Sequence, residues 1–390
     1  MANKILFIKW GSFSLINNSI YKILEDEFPE MIIDVIDVND LWKNKIRFWH
    51  YLKNIPYFIN EYGGDFLSGY KKISTKNLYS WFRRTSYFGM LISKFIKDTA
   101  GEKKYKFTFQ TQTMFNAKIE GIPHFIYTDH TTKANLLYPG INPREYIRSD
   151  KFIKKVEQAI YEDATVTFTC GSMVTNSLIN QYGIPKEKAM TVHAGSNVPN
   201  WFIENDAKYA SKNILFVGVD WERKGGPILL KAFEKVLKKH SDASLTIVGC
   251  NPDNLTLPNC KAVGKMKADK VAEYYNNAAI FCLPTLREPF GIVFIEAMHY
   301  KLPIVANNIG SIPDMVINDY NGYLIDNIVD DYANALCSLL GNPRKCKQLG
   351  ENGYDYAQSK FKWDLVGKTI KTEIASHLFT LHAKDCIGQV

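Results

Sequence analysis

Residues 213–240 read NILFVGVDWERKGGPILLKAFEKVLKKH, and the fold follows from how this stretch divides. NILFVG is a short, unbroken apolar run of the length expected for a strand buried on both faces. A polar loop follows, and Pro227 to about Lys239 reads as a helix. Strand, loop and helix in that order form the repeating unit of a parallel sheet covered by helices. The same alternation extends in both directions. Downstream come SLTIVG (244–249), a short KAVGK strand (261–265), a helix near Lys267 to Asn277, IFCLPT (280–285), PIVAN (303–307) and GYLID (322–326). Upstream, KILFI (4–8), MIIDVIDV (31–38), FTFQTQ (107–112), HFIYT (124–128) and TVTFT (165–169) read as strands. Phe152, Val156, Ala159 and Ile160 mark one apolar helical face before the last of these. The expectation is an α/β protein of two doubly wound domains facing a central cleft, with the linker around Asn197 to Ser211. The first domain covers 1–198, the second 199–360, and 361–390 is a closing helix returning to the first.

The bulk properties fit this organisation. The chain has 390 residues, 46% apolar and 23% charged, as in a soluble protein of about two domains. There is no apolar run of about 18 residues to span a bilayer. MANKILFIKWG has too short an apolar core for a signal peptide, which points to the cytoplasm. Seven cysteines, odd in number and without a CxxC pair, indicate neither a disulfide framework nor a zinc site.

The formal charge of +8 is regional. Between Trp42 and Lys106 stand 14 Lys or Arg against 4 Asp or Glu, together with 16 aromatics that include Trp49, Tyr57 and Trp81. Such interleaving suits anionic lipid headgroups, with rings at the interface and cations on phosphate. It also fits an ordinary core with a solvated basic face. Nucleic acid ranks below both, because no recognisable nucleic-acid module accompanies the patch.

In REPFGIVFIEAM (287–298) two glutamates, Glu288 and Glu296, lie within an apolar stretch, where a carboxylate needs a partner or a ligand. Pro289 reads as the start of a helix and Gly291 as part of its first turn, where unpaired N–H groups favour phosphate. Glu288 is then a loop carboxylate at the carboxyl end of a parallel strand, the edge at which doubly wound sheets bind ligands. An elongated ligand, such as a sugar linked through a diphosphate to a ribonucleoside, could meet Glu288, the helix mouth and Glu296 in turn. The plainer alternative is that Glu296 pairs with a lysine and Glu288 caps the helix.

These residues resemble the E-x7-E signature of retaining glycosyltransferases of family 4, which have the GT-B fold. FVGVDWERKGG (216–226) is similar to that family's diphosphate loop, AVGKM (262–266) to its nucleobase loop, and NDYNGYLI (318–325) to a hairpin that follows. The resemblance implies that Lys224 and Arg223 neutralise the donor's phosphates. It gives Glu296 the ribose hydroxyls, Glu288 the transferred sugar, and Gly264 and Lys265 the base. Gly11, Gly218, Pro289, Phe290, Gly291 and Ile292 complete the donor site. His130, in YTDHTT (127–132), is the candidate for the sugar's hydroxyls or the acceptor side, with Asp129 beside it; Ser172 matches the family's serine.

Three departures stand out. Only Gly11 is present where the family has two glycines. Val219 replaces an arginine, whose role Arg223 would assume. Ala194-Gly195-Ser196-Asn197 replaces Asn-Gly-Val-Asp.

The implied reaction moves a sugar from a nucleotide-diphosphate donor to a hydroxyl acceptor with retention and without a metal; the sequence has no DxD triplet to suggest one. The partners are the donor, a glycan, lipid or small-molecule acceptor, and an anionic membrane surface, but no nucleic acid. The alternative is a catalytically silent binding protein of the same fold, docking through residues 42–106. A nicotinamide enzyme would need GxGxxG after the first strand, and IKWGSFS lacks it.

Overall fold

The computed structural model describes residues 3–67, 82–101, 105–141, 150–198, 203–253, 255–326 and 328–387. Trp81 and linker residues 199–202 lie outside the described residues. The chain forms two compact units, Met1–Val192 with Val366–Val390, and His193–Leu365. Whereas the sequence reading divides the chain after residue 198 and starts the tail at 361, these units divide after Val192 and again after Leu365.

The first unit is built on six parallel strands: β1 (Lys4–Lys9), β2 (Ile32–Asp37), β3 (Phe107–Thr111), β4 (His124–Thr128), β5 (Val166–Thr169) and β6 (Ala189–Thr191). Their order is β2-β1-β3-β4-β5-β6. β3, β4 and β5 are buried along their whole length, with polar Thr108, Gln110 and Thr167 enclosed among their aromatic and aliphatic side chains. β2 lies at the edge, and its Ile32 and Val35 are exposed. Register places Phe7 opposite Phe109, and Phe109 opposite Phe125. Phe168 stacks on both of the latter at centroid distances of 6.2 and 6.1 Å. The helix Trp363–Ile387 sets its His377 ring against Phe125, and Gly367 lets it approach Ile23 of the helix Ile16–Glu27.

The second unit repeats the plan with β7 (Asn213–Val217), β8 (Ser244–Val248), β9 (Cys260–Ala262), β10 (Ile280–Leu283), β11 (Ile304–Asn307) and β12 (Gly322–Ile325), in the order β12-β11-β10-β7-β8-β9. The chain starts in the middle at β7, winds outward through β8 and β9, then returns to the other side of β7 with β10. The β7/β10 boundary is therefore a switch point, where two loops diverge and leave a crevice.

The structure corrects three expectations. β6 was not foreseen, because a three-residue edge strand has no periodicity to read. NDYNGYLI forms no hairpin: residues 318–322 make a tight turn, and β12 then runs parallel to β11. The apolar face at 152–160 is not a regular α-helix. A π-helical turn, Ile153–Glu157, separates the helical turns Asp150–Phe152 and Gln158–Asp163.

That π turn carries Glu157 into the core, fully buried. Its carboxylate accepts from the Thr132 N–H at 3.0 Å, the Tyr182 hydroxyl at 2.8 Å and the Tyr161 hydroxyl at 3.4 Å. Glu157→Ala leaves these buried donors without their acceptor and should lower unfolding free energy by about 3 kcal/mol in urea titration. A change under about 0.5 kcal/mol, the range of ordinary surface substitutions, would deny the cluster its structural role.

Candidate active site

The β7–α loop and the β10–α loop flank the switch point of the second unit. In the first of these loops, Lys224 donates its N–H to the Asp220 carbonyl at 2.9 Å, and Gly225 and Gly226 lead into the helix Gly226–Leu237. Trp221 lies against Gly226 and packs edge-on to Phe216 at 5.2 Å, which ties the loop to its strand. Arg223 holds Asp220 through Nε at 3.1 Å and donates to the Arg287 carbonyl at 2.8 Å. Its own carbonyl accepts from the Leu286 N–H at 2.9 Å. Asn307 Nδ2 donates to the Thr285 carbonyl at 3.1 Å, which fixes the second loop from β11.

This bracing brings Lys224 Nζ onto Glu288 Oε2 as an ion pair. Both side chains are buried, with 8% and 6% of each residue exposed, so neither charge is screened by bulk water. The residues expected to hold phosphate and sugar are thus held by one another.

Pro289 does not open the following helix, which starts at Ile292 and runs to His299. Gly291 is its cap residue, at φ 99° in the left-handed region. A Cβ there would lie 2.6 Å from the Phe294 ring and 3.1 Å from Glu288 Cγ. Only glycine meets both demands, and the extra bend delays the helix by three residues. Phe290 is buried and stacks on the His193 ring at 6.4 Å.

Glu296 faces inward from the second turn of this helix and is buried. The Tyr275 hydroxyl donates to its Oε2 at 3.0 Å. Burial pushes the carboxyl up to about 7, against the opposing pull of the Tyr275 hydroxyl, the Asn197 backbone N–H and the Lys224 charge. Tyr275 and Asn197 were missed in the sequence reading. Tyr275 lies 21 residues from Glu296 on another helix, and no local pattern joins them.

Backbone forms the floor on the other side of β7. The Gly218 N–H donates to the Val248 carbonyl at 2.9 Å, and the Gly249 N–H to the Gly264 carbonyl at 2.8 Å. A Cβ at Gly249 would stand 2.5 Å from the Gly218 carbonyl oxygen, so the loops after β7 and β8 touch only because no side chain intervenes. Gly218 and Gly264 are thus joined through Gly249, while Lys265 is exposed beside them.

The remaining candidates belong to the first unit. Gly11 follows β1; its N–H donates to Asp37 Oδ1 at 3.2 Å and its carbonyl accepts from Asn17 at 2.7 Å. His130 follows β4, with Nδ1 2.6 Å from Asp129 Oδ1, so Asp129 orients the ring. Ser172 begins the helix Ser172–Tyr182.

Two parallel sheets of this order define a class. Sucrose-phosphate synthase from Thermosynechococcus elongatus matches with a TM-score of 0.69 at 16% identity, over 97% of this chain and 100% of that one. HepE from Anabaena, solved with UDP and glucose, matches with a TM-score of 0.63 at 14% identity, over 96% and 100%. The fold is the GT-B fold of glycosyltransferases.

Within that class, residues 198–356 match the family model described as glycosyl transferases group 1. An uncharacterized glycosyltransferase of Methanocaldococcus jannaschii is 26% identical over 62% of this chain and 65% of its own. A D-inositol 3-phosphate glycosyltransferase of Corynebacterium kroppenstedtii is 30% identical over 61% and 58%. The match spans less than two thirds of these relatives' length. Residues 198–356 are thus similar to group 1 glycosyl transferases.

The elevated Glu296 carboxyl has a defined signature. Its folded value near 7 exceeds the ordinary 4.5, so between these values the folded state binds more protons than the unfolded state. Stability should therefore fall as pH rises from about 4.5 to 7, by on the order of 3 kcal/mol. Glu296→Gln should flatten that slope in chemical denaturation measured across this window. A wild-type slope unchanged by the substitution would place the titration elsewhere.

Proposed function

We propose that the protein is a retaining glycosyltransferase of the family 4 type, taking its sugar from a nucleotide-diphosphate donor. The observation that carries this reading is the buried Lys224–Glu288 pair with Glu296 close by, at the switch point of the region that matches the group 1 model. The complexes of HepE with UDP, and with UDP and glucose, support a nucleotide-sugar donor.

In this reading the donor's diphosphate takes over Lys224 and meets Arg223, while Glu288, released from the lysine, turns to the sugar's hydroxyls. Glu296 in its ionised form accepts from the ribose diol, with Tyr275 holding it in place. As the bond from the anomeric carbon to the phosphate oxygen breaks, negative charge grows on the diphosphate. Cations already in place stabilise that charge without reorganising. The acceptor hydroxyl attacks the same face of the sugar, its proton passes to the departing phosphate oxygen, and the products are glycoside and nucleoside diphosphate. Both glutamates are engaged in binding, so neither is assigned as the nucleophile of a double displacement.

We assign the diphosphate's neutralisation to Lys224 and Arg223 and hence no metal to the reaction; saturating chelator should leave turnover unchanged. His130, oriented by Asp129, is assigned to the sugar or the acceptor. We place the acceptor among lipids or lipid-linked glycans at the cytoplasmic membrane face, in keeping with the basic aromatic residues of the first unit.

Thermal unfolding against UDP-, GDP- and ADP-sugars tests the donor. One nucleotide class should stabilise the fold, by about 2.7 kcal/mol at a hundredfold excess over Kd. Glu296→Ala should abolish the shift, and Lys224→Met should reduce it for nucleoside diphosphates more than for nucleosides. No stabilisation by any of the three would remove the reading. Tyr275→Phe takes a donor from the Glu296 carboxylate, so the pH midpoint of donor binding should move upward. NMR of the product should show the donor's anomeric configuration; inversion would exclude the retaining route.

A further inference from the structure

The helix Phe48–Leu67 buries one face and exposes another that is equally apolar. The buried stripe is Asn54, Phe58 and Tyr62. It is pinned by Asn54 Nδ2 donating to the Phe82 carbonyl at 2.8 Å, Thr85 Oγ1 to Asn54 Oδ1 at 2.7 Å, and the Tyr62 hydroxyl to the Arg84 carbonyl at 2.7 Å. About a quarter of a turn round, Phe48, Leu52, Ile55 and Ile59 recur at helical spacing within roughly 60° of one another. Phe48 and Trp49 are each 67% exposed and Ile59 61%.

A soluble helix ordinarily turns charged residues to water on its outer side. Here the only charged residue facing outward between Phe48 and Asn60 is Lys53, while Lys43 and Arg47 are exposed just before the helix. From Leu41 to Asn60 the sequence has four cations and no carboxylate. The helix is not apolar enough to cross a membrane.

We propose that this outer face, with Lys43, Arg47 and Lys53, is a docking surface for an anionic lipid bilayer. Phe48, Leu52, Ile55 and Ile59 enter the headgroup boundary side by side, Trp49 at their flank settles at the interface, and the cations meet lipid phosphate. The uniform positive charge selects this occupant over a second copy of the chain, whose matching face would bring like charges together.

The surface is independent of the donor site, and vesicle binding has no sugar-transfer readout, so failure here leaves the reading of the donor site intact. The test is co-sedimentation of the full chain with phosphatidylcholine vesicles, with and without 30% phosphatidylglycerol (about a third of the lipid, a strongly anionic surface). The protein should sediment with the anionic vesicles at low salt, and lose that binding on neutral vesicles and in high salt. Lys43→Gln with Arg47→Gln and Lys53→Gln should weaken partitioning roughly a hundredfold. Trp49→Ser with Ile59→Ser should weaken it at least tenfold. Both variants alter exposed side chains, and unchanged melting temperatures would verify their folding. Wild-type protein left in the supernatant with anionic vesicles at low salt overturns the proposal, as does binding that both variants retain. A vesicle-free dimer dispersed by Trp49→Ser with Ile59→Ser also overturns it, by giving the face to a second copy.

Discussion

A buried lysine and a buried glutamate, 64 residues apart in sequence, neutralise one another between the loops that leave β7 and β10. Neither could be accommodated alone, because an unpaired charge at this depth costs several kcal/mol. The pair therefore dictates how both loops run: Arg223, Asn307 and Thr285 brace them, and Gly291 bends the second loop back so that Glu288 can reach inward. The same constraint makes the place receptive. An incoming group with its own negative charge can assume the carboxylate's part toward Lys224, so that part of the desolvation is already met before the ligand arrives.

Much of this architecture was legible because parallel strands buried on both sides leave an unmistakable trace. NILFV, IFCL and IVAN each read as strands and each occupies the interior of the second sheet. The glutamates were legible for a related reason, as carboxylates out of place in an apolar run. What escaped the sequence depended on partners far along the chain or on local departures from regular geometry. Tyr275 meets Glu296 only after two helices pack. Glu157 turns inward because one π turn shifts the residues that follow it. Ile292, not Pro289, opens its helix because the left-handed backbone at Gly291 postpones the first helical turn. The pairing of Lys224 with Glu288 was likewise hidden, since each residue had been given to a ligand and not to the other.

The basic aromatic region shows the limit of composition from the other side. Counting charges and rings across residues 42–106 cannot separate core from surface. Among the described residues, the structure divides them: Phe58, Tyr62 and Phe88 are buried, while Phe48, Trp49 and Ile59 are left to solvent. One helix serves as core on one side and as an apolar exterior on another.

The helix Trp363–Ile387 starts within one compact unit and finishes in the other. Ile370 and Ile374 are fully buried in the first unit, and Lys371 pairs with Glu27 at 3.4 Å. The first unit is thus completed only by a stretch that follows the whole of the second in sequence. On the ribosome it must wait, with a strip of its surface bare, until the whole of the second unit has emerged. Any recombination that exchanges one half for a relative's must carry two separate pieces of gene together.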